Sequence, residues 1–286
     1  MNYTQDGVYS LDLQSVAKRI YNSLLYRSVF YKFLNPNFIG ELRNAGTPMI
    51  EVLKSADATV NVRETKEITT ALTPSLLGYS SVKVDLTELP MDYSIQIPVL
   101  VAGTNFINTL ENAMDKKDQA VAQRIDTYGF GVLASGVTNE AEWNPSDQAG
   151  YISTLNSLKA NLFNKNVYED YRLGLAATEH ANLVSALTSI LKFETEIGVK
   201  GVDMGVVDEA YGIQIFPIND SMLTDVKGYF YNPLAVVGDT FFDSFVEYNG
   251  NYPGFPGYYV MEGNIMFGAK VVEPNAILKL VEEVSA

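Results

Sequence analysis

The chain has no cysteine, and only one histidine and one tryptophan among its 286 residues. Without cysteine there is no disulfide framework, no thiolate metal site and no Cys/His nucleophile pair. With His180 as the sole histidine, His-rich metal sites are excluded and a Ser-His-Asp set could use only that residue. His180 sits in the first turn of a predicted helix, where a protonated imidazole is disfavoured by the positive helix end, so a packing or surface role is expected. Phosphate-cradling Gly-rich loops are missing too. Gly129-Phe130-Gly131 lacks the third glycine of a dinucleotide fingerprint and falls at the end of a helix, not after a strand. Asp203, Asp208 and Glu209 lack the spacing of a calcium loop and read as a solvated acidic loop. No apolar run approaches the roughly 20 residues of a membrane span. The opening MNYTQDGVYS lacks the basic and apolar regions of a secretory signal. Basic residues are scarce: 20 Lys plus Arg against 34 Asp plus Glu give a net charge of −14. So acidic a protein is a poor binder of nucleic acid, although it could enclose it without sticking.

What is present is a sizeable core, with a hydrophobic share of 47%, in one large domain or two intimate ones. There are 18 Tyr and 14 Phe, side chains that suit either burial or contacts between subunits. The stretch that organises the rest runs from Gly103 to about Leu133. Ile107, Leu110, Met114, Val121, Ile125, Tyr128 and Val132 follow one helical face, with Glu111, Asp115, Lys116, Lys117, Asp118, Gln119, Gln123 and Arg124 between them. Such a helix is about 45 Å long at 1.5 Å per residue. With one apolar face it lies across something rather than through a core. A long surface helix of an ordinary α/β domain would look the same.

Before this helix, residues 10–34 form one helix or two, ended by Asn35-Pro36, and must pack on their own chain or a neighbour. Met49–Leu53 is a short strand and Ser80–Leu86 an alternating one. Between them, Lys54 to about Ser81 is β-prone, thinly apolar and charge-balanced: Lys54, Arg63 and Lys66 against Asp57, Glu64 and Glu67. This reads as a two-stranded arm reaching about 40 Å, unstable alone and needing another copy of the protein as its partner surface. An insertion loop is the alternative. Asp92–Pro98 is a further strand leading into the long helix.

After the helix, residues 134–150 read as loop, with Trp143 as a local packing plug. Residues 150–255 alternate helices and strands: a helix from Tyr151 to Phe163, a strand at Tyr171–Ala177, a helix from Glu179 to Leu191 capped by Thr178, and strands at Tyr211–Pro217, Lys227–Tyr231 and Leu234–Val237. Gly198–Gly212 is a candidate exposed tip. Tyr258–Pro274 is strand-forming and returns to the sheet under the long helix, and Asn275–Ala286 is a short acidic tail.

This order of parts resembles the major capsid protein of tailed double-stranded DNA bacteriophages, the Hong Kong-type fold shared with the herpesvirus capsid floor and encapsulins. Two stretches carry the detail. Val206–Asp220 is similar to the family's glycine-containing segment leading into a strand, and Ile265-Met266-Phe267-Gly268-Ala269-Lys270-Val271-Val272-Glu273-Pro274 to its closing aromatic-Gly-Ala strand. The resemblance implies an α+β fold: an N-terminal arm (1–48), an extended β-hairpin loop (49–86), a peripheral domain (87–149 and 256–286) with a spine helix at 104–133, and an α/β axial domain (150–255). It implies a non-enzymatic subunit without cofactors, assembling with many copies of itself as hexamers and pentamers into an icosahedral shell. Enclosed DNA would not be bound specifically, and separate scaffolding, portal and decoration proteins are possible partners. The site would be the virion, with assembly in the host cytoplasm and no membrane. Lys54, Arg63, Glu64, Lys66 and Glu67 are the candidate subunit contacts. No motif here marks a Lys–Asn cross-link, so non-covalent joints are expected. Two other readings stay open: an encapsulin-like shell around an enzyme cargo, and an α/β enzyme built on residues 150–255.

Overall fold

The computed structural model describes residues 2–3, 9–10, 13–39, 48–55, 79–98, 106–191 and 209–282. The helices are α1 (Leu13–Arg27), α2 (Phe106–Gly136), α3 (Gln148–Asn164) and α4 (Ala177–Leu191). The strands are β1 (Asn2–Tyr3), β2 (Tyr9–Ser10), β3 (Met49–Ser55), β4 (Tyr79–Asp85), β5 (Leu89–Pro98), β6 (Glu140–Glu142), β7 (Tyr171–Ala176), β8 (Glu209–Ala210), β9 (Ile213–Ile218), β10 (Gly228–Tyr231), β11 (Val236–Tyr252), β12 (Phe255–Val271) and β13 (Ile277–Val281). They build a three-stranded sheet in the order β11-β12-β5, a six-stranded sheet in the order β6-β13-β10-β7-β9-β8, and two separate ribbons, β3-β4 and β1-β2.

The three-stranded sheet is antiparallel throughout. Tyr93, Ile95 and Ile97 of β5 point inward and are buried, while Asp92, Ser94 and Gln96 between them are exposed. That alternation belongs to a sheet with one dry and one wet face. The dry face is covered by α2, and α1 lies on α2.

The expected long helix is there, displaced by a few residues; Leu110, Met114, Val121 and Ile125 of the expected face are buried, and the face departs from the spacing at its two ends. Phe106, Phe130 and Leu133 are buried, whereas Ile107 is 38% exposed. A repeat read at a fixed spacing drifts around a straight helix with 3.6 residues per turn, so errors gather at the ends. Two carboxylates, Asp118 and Asp126, are buried on the same inner face. In the sequence Asp118 falls between the apolar positions rather than among them.

The six-stranded sheet is wrapped on both sides. On one side Leu155, Leu158 and Leu162 of α3 and Leu183 and Leu187 of α4 close over Leu173, Leu175, Ile213, Ile215, Phe230, Leu278 and Leu280. The other side joins the main core around α2. All four residues of β10 are buried, as the continuous run Gly-Tyr-Phe-Tyr requires of a strand with two dry faces. Trp143 packs into the first of these cores, edge-on to Tyr151 at 5.9 Å.

Three segments differ from expectation. Val236–Tyr252, assigned above to the axial region, is one long strand paired with β12 in the three-stranded sheet. Its alternation is interrupted by a register shift between Phe242 and Phe245, which hides the period in the sequence. Ile277–Val281, taken as tail, is an inner strand of the six-stranded sheet, between β10 and β6. Finally, Thr178 lies inside α4 rather than at its cap. The carboxylate of Asp220, brought in from after β9, accepts from Thr178 N at 3.4 Å and from its hydroxyl at 2.6 Å. These bonds hold Asp220 below the usual carboxylate range.

Candidate assembly surface

The β3-β4 ribbon is pinned at its base and released toward its end. Strand β3 pairs with β4 from Met49↔Asp85 to Ser55↔Tyr79. At the base, Ile50, Val84 and Leu86 are buried with Val237, Phe241 and Val272. One step outward, Val52 and Val82 face each other half-buried, and Ser80 beyond them is exposed. Outward-facing Leu53 is 71% exposed. Burial thus runs out along the ribbon while the strand pairing continues. A two-stranded ribbon without a covered face is marginal in water.

The base is seated by a close approach of backbones. A Cβ on Gly268 would lie 1.8 Å from the carbonyl oxygen of Asp85 and 2.7 Å from Cα of Leu86. No side chain larger than hydrogen fits where β4 ends over β12. The glycine of the Phe267-Gly268-Ala269 motif therefore has a steric reason, which is to let the ribbon cross the sheet. Asp85 then turns the chain, accepting from Thr87 N at 2.9 Å and from its hydroxyl at 2.8 Å, which lowers its pKa.

Lys54 lies at the point where the ribbon leaves the body, bonded within its own chain. Its ammonium pairs with Glu273 at 3.1 Å and donates to the carbonyl of Val272. Both side chains are partly exposed, so this pair tethers weakly. Arg63, Glu64, Lys66 and Glu67 lie outside the described residues. So do Asp203, Asp208 and most of Gly198–Gly212.

The N-terminal segment, expected as an arm up to residue 48, is different over residues 13–39. Val16, Ala17, Ile20, Tyr21, Leu24, Phe30, Tyr31, Phe33 and Leu34 are all buried in the main core of their own chain. Polar contacts that sequence periodicity does not reveal pin it there. Asp126 of α2 accepts from the Ser28 hydroxyl at 2.5 Å, Phe30 N at 2.9 Å and Val29 N at 3.3 Å. Burial nevertheless pushes its pKa up. Asp118 accepts from the Tyr93 hydroxyl at 2.7 Å and is likewise raised by burial, with Ser23, Arg19 and Arg27 of α1 partly offsetting this. Asp239 of β11 accepts from Tyr21 at 3.0 Å. Arg19 and Arg27 share Asp115, each at 3.4 Å.

His180 is buried, Glu209 is exposed on an edge strand, and the raised carboxylates Asp118 and Asp126 are locked in packing rather than open to a cleft. Among the described residues no group of acids and histidine could hold a metal ion, and no helix is long and apolar enough to cross a membrane.

No family model and no curated protein sequence matches the chain. Solved structures do. One is titled the capsid structure of the cyanophage P-SCSP1u, with a TM-score of 0.63, 14% identity, and coverage of 100% of this chain and 93% of that one. Another is the asymmetric unit of the bacteriophage PhiM1 mature capsid, with a TM-score of 0.58, 9% identity and coverage of 100% and 93%. A chain from Mycobacterium phage Che8 gives a TM-score of 0.59 at 15% identity, covering 90% and 92%. The chain has the fold of these phage capsid structures, over nearly its full length, as the resemblance implies.

Proposed function

We propose that this chain is the structural subunit of a tailed-phage capsid. Many copies, arranged as hexamers and pentamers, close into an icosahedral shell around double-stranded DNA. The observation that carries the reading is the full-length match to the fold of phage capsid chains. The ribbon supports it independently, since its burial runs out while its pairing persists, which calls for a neighbour's surface. The titles of the similar structures favour a genome shell over an encapsulin-like compartment and a structural role over an enzymatic one.

In this reading the β3-β4 ribbon and residues 56–78 beyond it are the extended loop overlapping the next subunit, with Arg63, Glu64, Lys66 and Glu67 as contacts. Helix α2 is the spine. The peripheral domain is α1, α2 and the three-stranded sheet, and the axial domain is the six-stranded sheet with α3 and α4. The domain boundaries therefore follow strand pairing: residues 236–271 go with the peripheral domain, and 140–142 and 277–281 with the axial one. The net charge of −14 keeps the wall from adhering to the packaged DNA. Separate scaffolding, portal and decoration proteins are candidate further partners, and the virion is its location.

Negative-stain electron microscopy of the purified chain tests the proposal. Closed shells or ring-shaped capsomers are expected. A monodisperse monomer at high concentration, with no assembly under any ionic condition, overturns it.

A further inference from the structure

Among the described residues, three short chain crossings join the two sheets, beside the core they share around α2. The chain passes from α2 to β6 at 137–139, from β10 to β11 at 232–235 and from β12 to β13 at 272–276. These lie together: Asn232 N donates to Ala276 O at 2.9 Å, Val272 N to Ala235 O at 2.8 Å, and Asn139 Nδ2 to Pro274 O at 2.7 Å. Clustered crossings between two sheets are a place where the angle between them can change.

A fourth connection spans the same gap without being part of either sheet. Phe30 is seated on one side. A Cβ on Gly129 of α2 would lie 2.3 Å from its ring, so the ring occupies the space that the glycine leaves. Phe30 also meets Phe130 at 5.7 Å and Phe267 of β12 at 6.1 Å, both edge-on. Phe33 is seated mainly against the six-stranded sheet, although its ring also meets Phe130 of α2 edge-on at 5.5 Å. A Cβ on Gly174 of β7 would lie 2.9 Å from its ring, which stacks on Tyr231 of β10 at 4.3 Å and meets Phe216 of β9 at 5.5 Å. Between the two rings, the carbonyl of Lys32 accepts from the Tyr231 hydroxyl at 2.7 Å and from Arg172 at 2.9 Å. Asp126 holds the opposite end of the segment through Ser28 and Phe30. Asn35 N closes it by donating to Val236 O, at the first residue of β11, at 2.8 Å.

We infer that Ser28–Asn35 is a strap that fixes the angle between the two sheets across the three crossings, with Phe30 anchored in one half and Phe33 in the other. The inference stands on the fold alone. If the chain also builds a shell, as proposed above, the strap sets the angle each subunit brings to it.

The absence of cysteine makes the test direct. Spin labels at Ser94→Cys, on the three-stranded sheet, and Asn156→Cys, on α3, report the angle through their distance distribution. Both positions are exposed. Full-length labelled chain is diluted in a large excess of unlabelled chain, so that only distances within one molecule are read. The parent gives a single narrow distribution. Phe33→Leu, which keeps an apolar side chain but loses the stack, is expected to roughly double its width, as freeing a hinge does. Control pairs within each half, Ser94→Cys with Gln123→Cys and Asn156→Cys with Gln214→Cys, stay narrow. The double variant Tyr231→Phe, Arg172→Met removes the two bonds to Lys32 O, together with the contact between the two side chains, and keeps the ring stack. It is expected to widen the cross-sheet distribution by a smaller amount, and it decides the matter if Phe33→Leu does not fold. An unchanged cross-sheet width, or equal widening of the control pairs, overturns the strap. Because assembly is not the readout, this result stands apart from the test for shells.

Discussion

The N-terminal segment and the β3-β4 ribbon both look like projections in the sequence, and the structure treats them in opposite ways. Residues 13–39 are buried in their own chain and pinned by carboxylates from α2 and β11. The ribbon keeps its strand pairing but loses its burial within two residue pairs of the body. Aromatic content separates them. The first carries Tyr21, Phe30, Tyr31 and Phe33, enough apolar area to repay the ordering of a segment. The second carries mostly Val, Ser and charge, and gains little by folding back. A segment that stays with its own body needs a socket there, and one that does not needs another molecule.

Deletions strain this contrast hardest. Removing Leu13–Asn35 is expected to abolish soluble folding, because it uncovers Phe130, Phe267 and Tyr231 together. Removing Asp57–Leu76 is expected to leave the melting temperature of the body within a few degrees of the parent while eliminating shells, as seen by calorimetry and electron microscopy. If the second deletion still makes normal particles, the role given to the ribbon is wrong.

Point substitutions sharpen it. Phe30→Ala leaves the Gly129 socket empty and is expected to cost about 3–5 kcal/mol in urea unfolding, as large core aromatics do. Gly268→Ala forces β4 off β12 and is expected to cost about 1–3 kcal/mol, the range for overpacking, with a larger loss of assembly than of stability. Equal losses of both would deny the ribbon its special link to assembly.

The buried carboxylates predict a pH dependence of definite sign. Burial raises Asp118 and Asp126 above their unfolded value of 3.8, so the folded state holds protons that the unfolded state releases. Their contribution to stability is therefore full below that value and declines as pH rises through the raised values. Asp118→Asn keeps an oxygen for the Tyr93 hydroxyl and removes one of these protons, so the fall in unfolding free energy with rising pH should become shallower in that window. A steeper fall would contradict the assignment. The smallest effect belongs to Lys54→Met. Its half-exposed pair with Glu273 is worth about 0.2–1 kcal/mol, and salt should erase the difference.

Much of the architecture is legible along the chain. The apolar spacing of Leu110, Met114, Val121 and Ile125 marks the long helix, the alternation of Tyr93, Ile95 and Ile97 marks a half-wet strand, and Gly-Tyr-Phe-Tyr marks a strand dry on both faces. The site is less legible. Gly129 looks like a broken cofactor motif and is a packing socket. Asp118 falls between the apolar positions of the helix and Asp126 carries no signal in the sequence, yet both are buried acceptors. Val236–Tyr252 is masked by its register shift, and Ile277–Val281 by its place in an acidic tail. In each case the deciding partner lies far away in sequence.

By itself the sequence determined what this protein cannot do with thiols, imidazoles or Gly-rich phosphate loops, and where its main helices and strands fall, because period and composition are properties of a few neighbouring residues. Only the tertiary structure decided which sheet each strand joins, that residues 13–39 turn inward while burial runs out along the β3-β4 ribbon, and that three glycines exist to receive two rings and a crossing strand. Those outcomes depend on which distant surfaces meet, and contact between distant surfaces leaves no period in the chain to read.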